Sequence, residues 1–215
     1  MTNRDYHNER REYHFDELNR EHLSTNPFIQ FADWMDQAMA ANIHDPTAMS
    51  LATVDDQGQP HSRVVLLKES DTRGFVFYSH YDSAKGRQVA KNAKAAILFY
   101  WPEMDRQIRI EGVLNKTSQA HSKTYFQSRP RASQIAAASF VQSKIIPGRK
   151  TLEQNFVIAE DEYQYHDVPC PENWGGYRLI PNYFEFWQGR ENRLHDRFMF
   201  ALNNQNLWDI ERLSP

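Results

Sequence analysis

The chain has 215 residues and a formal net charge of −3 at pH 7, which allows one domain with a substantial core and provides no overall basic field for nucleic acid. Cys170 is the only cysteine in the sequence, so an intramolecular disulfide is excluded. The spacing of the nine histidines offers no paired zinc ligands. No apolar run approaches the ~20 residues of a membrane span and the N-terminus lacks the apolar core of a signal peptide, so we expect a cytoplasmic protein without a membrane or metal partner.

The first 25 residues are strongly polar and charged, which predicts a mobile arm or a loosely docked helix (residues 1–25) ahead of a folded domain (residues 26–215). Asn26 and Pro27 are typical of a helix cap and a first helical position, and the apolar spacing that follows predicts a helix to about Ala41. Short strands joined mostly by turns, with helices between some of them, favour a mostly β, α+β fold built on an antiparallel barrel. Further helices are predicted at 83–92, 117–127, 133–138 and 151–162. Strands are predicted at 49–54, 62–68, 74–79, 95–101, 106–114, 176–180, 183–187, 197–201 and 208–212.

Cations and hydroxyls recur near predicted strand ends. Arg63 and Lys68 flank four apolar residues, and because a six-residue strand spans roughly 17–20 Å, the two charges could hold two separate anions. The alternative is that both side chains simply extend to water. Tyr78 and Ser79 end the next strand, and Lys85 lies just inside the following helix, an arrangement that suits a phosphate. Ordinary capping of that helix by a serine explains part of this pattern without a ligand.

A phenol, a guanidinium and a hydroxyl cluster around the boundary between two predicted helices. Tyr125 and Arg129 are four residues apart and therefore share one helix face. Pro130 ends that helix, and Ser133 is predicted to cap the next one. This set is typical of a phosphate-binding corner, and the alternative is an exposed turn between helices.

Amides and hydroxyls that could recognise a flat heterocycle lie elsewhere in the chain. Gln107 opens a predicted strand, and Gln142 and Ser143 follow a short helix. Side-chain amides can pair with the alternating donors and acceptors at the edge of such a ring. Glutamines are also common on surfaces, so position alone leaves the function of these residues open.

The most informative segment follows the aromatic run 183–187. In an extended chain alternate side chains share a face, so Arg193, His195 and Arg197 are predicted to point the same way, close to Trp187. Three nitrogen-rich groups beside a tryptophan suit a flat, electron-rich anion better than a metal or a nucleic-acid backbone. A surface hairpin with scattered charges is the alternative.

Taken together and in order, these segments resemble the pyridoxine/pyridoxamine 5′-phosphate oxidase family. The resemblance extends from about Asp45 to the end of the chain, with a further match at residues 10–13 in the arm. It rests on the runs Arg63-Val64-Val65-Leu66-Leu67-Lys68, Phe77-Tyr78-Ser79, Tyr125-Phe126-Gln127-Ser128-Arg129-Pro130-Arg131, Gln142-Ser143, Phe186-Trp187-Gln188-Gly189, Arg193-Leu194-His195-Asp196-Arg197 and Trp208-Asp209-Ile210-Glu211-Arg212-Leu213-Ser214-Pro215.

The resemblance implies an FMN-binding split β-barrel that forms a homodimer with FMN at the interface. The implied reaction uses dioxygen to oxidise pyridoxamine or pyridoxine 5′-phosphate to pyridoxal 5′-phosphate, releasing hydrogen peroxide, and ammonia from the amine. Two alternatives remain, a flavin-dependent oxidase that acts on another planar substrate and a carrier without enzymatic activity. The residues that match the substrate-phosphate site argue against the oxidase with another substrate. Peroxide production on adding pyridoxamine 5′-phosphate would distinguish an oxidase from a carrier.

Roles carry over to this chain position by position. Arg63 and Lys85 match the grip on the FMN phosphate, and Gln142 and Ser143 match contacts that reach FMN from the second subunit. Ala84 stands where many family members have arginine, which implies the loss of one phosphate contact. The other FMN positions are Val64, Val65, Leu66, Leu67, Lys68, Tyr78, Ser79, Gln107, Trp187 and Arg197. The substrate positions are Lys68, Tyr125, Arg129 and Ser133 for the phosphate, Arg193 and His195 for the ring and catalysis, and Arg10 and Tyr13 in the arm.

Overall fold

The computed structural model describes residues 5–215, and within them it contains nine β-strands, five α-helices and three short 3-10 turns. The helices are α1 (Pro27–Ala40), α2 (Ala84–Lys91), α3 (Gln119–Ser128), α4 (Arg131–Ser139) and α5 (Arg149–Glu162). The strands are β1 (Ala48–Val54), β2 (Pro60–Leu66), β3 (Glu69–Asp71), β4 (Gly74–His80), β5 (Lys94–Trp101), β6 (Arg106–Lys116), β7 (Trp174–Gln188), β8 (Asp196–Leu202) and β9 (Trp208–Leu213). No helix among the described residues combines the length and apolar character needed to cross a membrane.

The strands form one sheet in the order β2-β1-β5-β6-β7-β4-β3, and β8 pairs with β7 and with β9. The pairings β1–β2, β3–β4, β4–β7, β7–β8 and β8–β9 are all antiparallel. An antiparallel sheet with added helices confirms the predicted fold class.

The chain divides into two compact units. The central unit comprises Thr47–Ile97 and Glu111–Pro181, and the terminal unit comprises the chain up to Pro46 together with Leu98–Ile110 and Asn182–Pro215. Each unit has its own buried aromatic side chains. Those of the central unit include Phe75, Phe77, Phe126 and Tyr177, and those of the terminal unit include Phe31, Trp34, Phe99, Phe184, Phe186, Phe198 and Phe200.

Two predicted helix starts are confirmed by their hydrogen bonds. The Asn26 side chain accepts from the backbone N–H of Phe28, and Pro27 occupies the first helical position of α1. The Ser83 side chain accepts from the backbone N–H of Gly86 at the start of α2. These caps set where the helices begin, and the cap on α2 determines the position of Lys85 in its first turn.

Two predicted boundaries are wrong for local reasons. Helix α4 begins at Arg131, so Ser133 lies inside it and does not cap it, and Pro130 occupies the cap position. Strand β2 ends at Leu66, so Lys68 lies beyond the strand, where its backbone N–H donates to the Val76 carbonyl.

Strand β7 is continuous, although two strands were predicted in its place. Its residues up to Leu179 pair with β4, and those from Tyr183 onwards pair with β8. Pro181 lies between these two paired segments. A proline is tolerated there because its missing N–H removes no hydrogen bond to either of those partner strands.

Candidate active site

A cavity of about 700 Å³ in the central unit gathers many of the predicted site residues. Its volume lies within the range of small-molecule and cofactor pockets. Four cations contribute to its wall, and the remaining lining is hydroxyl, amide, aromatic and aliphatic. The predicted residues that line it are Arg63, Val64, Val65, Leu66, Lys68, Tyr78, Ser79, Lys85, Tyr125, Arg129, Ser133 and Gln142. Leu67 is buried in the core, and Ser143 is exposed with a left-handed backbone (φ 68°).

Lys85 is the buried cation of this cavity. Its Nζ donates to Ser79 Oγ at 3.0 Å and to Gln142 Oε1 at 2.9 Å, and both acceptors are neutral. Burial, followed by the charge of Arg63, lowers the pKa of Lys85 to about 8. No acidic side chain within residues 5–215 forms an ion pair with it. A buried cation without a carboxylate provides a strong electrostatic attraction for an anion.

Gln142 lines this cavity together with Lys85 of the same chain. Its Oε1 also accepts from Ser79 Oγ at 3.0 Å, so three side chains from β4, α2 and the segment after α4 meet at one point. The resemblance implied that Gln142 reaches FMN from a second subunit. In this structure the Gln142 side chain lies at the Lys85 site of its own chain, and its contact with FMN across an interface stays a prediction.

Tyr78 and Ser79 point to opposite sides of β4, as neighbouring strand residues do. The Tyr78 hydroxyl donates to Glu69 Oε1 at 2.8 Å, and its ring stacks on Tyr125 with centroids 3.8 Å apart. Burial, together with the hydrogen bond to Glu69 and its negative charge, raises the pKa of Tyr78, so the phenol stays protonated. The Tyr78 hydroxyl is therefore engaged by Glu69, and the function left to Tyr78 is the stacking of its ring.

Arg129 and Tyr125 lie together at the end of α3 and line the same cavity as Ser133 and Lys68. The Arg129 guanidinium carbon lies 4.8 Å from the Trp174 ring centroid. Its Nη1 is buried without a hydrogen-bond partner among the described residues, and burial lowers the pKa of the group. An unsatisfied buried guanidinium nitrogen beside a phenol is the donor set that a phosphate oxygen would satisfy.

The other predicted residues lie in the terminal unit. Trp187 packs against His195 with centroids 4.8 Å apart, and Tyr13 meets both rings edge-on at 5.6 Å and 5.3 Å. Gly189 permits this approach, since a Cβ there would lie 2.6 Å from the Tyr13 ring. Arg10 does not share in this packing, and its Nε donates to the His7 carbonyl.

His195 has a defined hydrogen-bonding role. Its Nδ1 accepts from the backbone N–H of Arg190 at 3.1 Å, which leaves Nε2–H as the donor of the neutral ring. Partial burial, then the charges of Arg193 and Arg197, lowers the pKa of His195. The ring is therefore neutral at pH 7 and presents an N–H donor.

Arg197 is held by a buried carboxylate that the sequence did not single out. Glu185, which is 2% exposed, accepts from Arg197 Nε at 2.9 Å and from Arg109 Nη1 at 2.8 Å. Gln107 lies two residues before Arg109 in β6 and therefore on the same face of the strand. A glutamate between Phe184 and Phe186 was the available signal, because a charge in an aromatic strand needs a partner.

The predicted extended run from Arg193 to Arg197 is wrong. Glu191–Arg193 is a 3-10 turn in which Asn192 (φ 56°) and Arg193 (φ 64°) both have left-handed backbones. Strand β8 begins only at Asp196, so the pleat does not align Arg193 with His195. A left-handed conformation costs a non-glycine residue about 1–2 kcal/mol. Asparagine adopts this conformation more readily than most residues, so the strain falls mainly on Arg193, two residues before His195.

The sequence matches two family models. Residues 35–160 match the model described as pyridoxamine 5′-phosphate oxidase, and residues 174–215 match the pyridoxine 5′-phosphate oxidase C-terminal dimerisation region. The second match contains Trp187, Arg193, His195 and Arg197.

Full-length relatives carry the same family name. A pyridoxine/pyridoxamine 5′-phosphate oxidase of Hydrogenovibrio crunogenus is 54% identical, with 100% of both chains covered. A second, from Trichormus variabilis, is 46% identical and covers 96% of each chain.

Solved structures share the fold. PhzG from Burkholderia lata, in complex with tetrahydrophenazine-1-carboxylic acid, matches with a TM-score of 0.87 at 28% identity, covering 93% of this chain and 98% of its own. A Nostoc punctiforme protein described as pyridoxamine 5′-phosphate oxidase-related and FMN binding matches with a TM-score of 0.69 at 19% identity, covering 90% and 100%. The fold is thus the split barrel of these proteins. The family models, the full-length relatives and the fold agree, and the chain belongs to the pyridoxamine 5′-phosphate oxidase family.

Proposed function

We propose that the chain is an FMN-dependent oxidase that converts pyridoxamine and pyridoxine 5′-phosphate to pyridoxal 5′-phosphate. Dioxygen is the electron acceptor and hydrogen peroxide is formed. With the amine substrate, water hydrolyses the resulting imine and ammonia is released. The observation that carries this proposal is the central-unit cavity, which is lined by two sets of anion-binding side chains. Ser79 belongs to the first set, and the adjacent Tyr78 supports the second. Two such sets in one cavity suit a phosphorylated cofactor and a phosphorylated substrate.

The first set is proposed to hold the FMN phosphate. Arg63 and Lys85 supply the charge, and Ser79 and Gln142 supply polar contacts around Lys85 Nζ. The residues fit a phosphate because both acceptors on Lys85 are neutral, which leaves its charge uncompensated. Further contacts to FMN are proposed for Val64, Val65, Leu66, Leu67, Lys68, Tyr78, Gln107, Ser143, Trp187 and Arg197.

The second set is proposed to hold the substrate phosphate. Arg129 contributes a guanidinium with an unsatisfied buried nitrogen, and Tyr125, Ser133 and Lys68 line the same cavity. Tyr78 supports this set through its stacking on Tyr125. A substrate without a phosphate would leave the buried Arg129 nitrogen unsatisfied, which favours phosphorylated substrates over the alternative planar ones.

The terminal-unit residues are proposed to act on the substrate ring. The chemistry that FMN supplies when bound is acceptance of two electrons from the substrate's 4′-carbon and their transfer to dioxygen. Arg193 places its guanidinium against the substrate ring and stabilises charge that develops as the 4′-hydrogen leaves. His195 donates its Nε2–H to a ring oxygen, and Tyr13 and Arg10 close over the site from the arm.

We further propose a homodimer with FMN at the interface. The match of residues 174–215 to a C-terminal dimerisation region supports this assembly, and that region includes the proposed ring-binding residues. A dimer also gives a physical reason for the many apolar side chains exposed on the single chain, such as Val64 (69% exposed) and Ile158 (64%).

The visible spectrum of the purified protein tests cofactor and substrate together. We expect a yellow protein whose flavin absorbance bleaches under anaerobic conditions on adding pyridoxamine 5′-phosphate, and which forms peroxide when air is admitted. Pyridoxamine without the phosphate is the matched control. Equal bleaching by both compounds would contradict the proposed substrate phosphate site, and tight binding without bleaching would identify a carrier.

A further inference from the structure

The guanidinium of Arg63 is held by three neutral acceptors inside the central unit. Its Nη1 donates to the Leu51 carbonyl at 3.0 Å and to Thr53 Oγ1 at 2.6 Å, and its Nη2 donates to Gln88 Oε1 at 3.1 Å. Thr53 Oγ1 in turn donates to Gln88 Oε1 at 2.6 Å. The arginine from β2 is therefore fixed by one strand, β1, and one helix, α2.

A count of donors shows which edge of the guanidinium remains available. An arginine has five N–H groups, two on each terminal nitrogen and one on Nε. Both Nη1 hydrogens and one Nη2 hydrogen are used by Leu51, Thr53 and Gln88. Within residues 5–215 no acceptor is found for the Nε–H or the second Nη2–H. These two donors lie on the same side of the planar group, where they match two oxygens of one phosphate.

The two side chains that fix Arg63 are themselves well determined. Thr53 is fully buried, and its hydroxyl has both a donor role towards Gln88 and an acceptor role towards Arg63. Gln88 Oε1 accepts from both partners, which sets the orientation of its amide. Among the described residues no carboxylate takes part, so the orientation is imposed without neutralising the arginine. An ionic partner would fix the group equally well but would weaken its attraction for an anion.

We propose that Thr53 and Gln88 are positioning residues for the phosphate of FMN, which they serve by occupying one edge of Arg63 and directing its Nε–Nη2 edge at the phosphate. Neither residue touches the phosphate itself. The identity of the phosphate rests on the proposed function. Thr53 on β1 and Gln88 on α2 affect FMN entirely through Arg63.

A double-mutant cycle on the apoprotein tests this route, with flavin fluorescence quenching as the measure of FMN affinity. We expect Gln88→Leu to weaken FMN binding about 10-fold, because an arginine free to rotate must lose that freedom on binding. In an Arg63→Met background the same change should weaken binding less than about 2-fold, since its route of action has been removed. An equal loss in both backgrounds, or no loss in the natural background, overturns the proposal.

Conservative and matched variants separate positioning from general damage. Thr53→Val should weaken FMN binding, whereas Thr53→Ser, which keeps the hydroxyl, should bind FMN with the affinity of the natural protein. Ser50→Val removes a hydroxyl from the same strand, one that pairs with Ser62 and not with Arg63, and should leave FMN affinity unchanged. If Thr53→Val fails to fold, the half-buried Gln88 still carries the cycle.

Failure of the inference and failure of the proposed function give different results. A natural-sequence apoprotein that does not bind FMN contradicts the proposed function and removes this inference with it. A protein that binds FMN tightly with or without Gln88 contradicts the inference alone. Riboflavin, which lacks the phosphate, provides the second readout: its affinity should be the same for the natural protein and for Gln88→Leu.

Discussion

Two cations of the central cavity and two arginines of the terminal unit have different kinds of partner. In the central unit, Lys85 and Arg63 donate only to hydroxyl, amide and carbonyl oxygens. In the terminal unit, Arg197 pairs with the buried Glu185, and Arg106 pairs with Asp16 at 2.9 Å. A cation held by neutral oxygens keeps its charge for an incoming anion, whereas one paired with a carboxylate contributes mainly fixed geometry. The cavity around Lys85 and Arg63 is therefore suited to attract phosphates, whereas the carboxylates of Glu185 and Asp16 hold arginine side chains in place.

Arg193 differs from Arg197 and Arg106 in the terminal unit. It is exposed, it has a left-handed backbone, and none of the ion pairs found in the described part of the chain includes it. Its neighbour Arg190 pairs with Glu17 and Asp196. The turn therefore holds one neutralised arginine and one that keeps its full charge.

The largest expected effect concerns this pair. Arg193→Leu should lower turnover about 100-fold or more while FMN stays bound, because it removes charge stabilisation needed only as the reaction proceeds. Stopped-flow measurement of flavin reduction by pyridoxamine 5′-phosphate checks this. Arg190→Leu is the matched control in the same turn and should slow reduction far less. A near-normal rate for Arg193→Leu rejects its catalytic role.

The next largest effect tests the arginines of the terminal unit that are paired with the buried carboxylate of Glu185. Glu185→Gln should lower the free energy of unfolding by about 1–3 kcal/mol, because two arginines lose the charge of a buried partner. Urea denaturation of the apoprotein measures it. Glu191→Gln, which removes a carboxylate paired with the exposed His14, is the control and should cost less than about 0.5 kcal/mol. Equal losses for both variants would show that burial of Glu185 adds nothing.

A smaller effect is expected at the exposed end of the substrate phosphate site. Lys68 lines the cavity but is exposed, and its charge is one contact among several. Lys68→Ala should raise KM for pyridoxamine 5′-phosphate about 10-fold and lower kcat less, since a contact present before and during the reaction affects binding alone. Steady-state kinetics provide the measurement. A large fall in kcat with KM unchanged is the opposite result and would remove Lys68 from the phosphate site.

How far the sequence predicts this structure depends on whether local or distant residues decide each feature. The start of α1 and the cap of α2 were predictable because Asn26, Pro27 and Ser83 act within one helical turn. The short strand β3 was missed because Glu69–Asp71 has no strand-like composition and is extended only by its pairing with β4.

The same distinction applies to the candidate site. Motif resemblance named the residues that line the central cavity, whose roles stay predictions. It did not name Glu185, Thr53 or Gln88, because these act through partners on other strands or helices. The left-handed turn at Arg193 was also beyond the sequence, since neither arginine nor its neighbours require that conformation.

The smallest expected effect is a proton taken up at Lys85 when FMN binds. The pKa of Lys85 is about 8 in the protein without ligand, so near pH 9 the amine is mostly neutral. A bound phosphate dianion favours the charged form and raises that pKa towards its ordinary value. Binding therefore takes up close to one proton at about pH 9 and almost none from this group near pH 6.5. Affinity should accordingly be greatest below pH 8 and fall as the pH rises through and above it.

Calorimetry in two buffers of different ionisation enthalpy counts these protons. Lys85→Met is the decisive variant, because it should abolish the uptake near pH 9 and weaken FMN binding without destabilising the apoprotein. The last point follows from burial: a methionine removes a buried charge that no carboxylate compensates. This is the reverse of the expectation for Glu185→Gln, whose loss leaves charges unpaired. Proton uptake that persists in Lys85→Met would mean that a different group titrates. A destabilised apoprotein would mean that the neutral oxygens around Lys85 are enough for this buried cation to stabilise the fold.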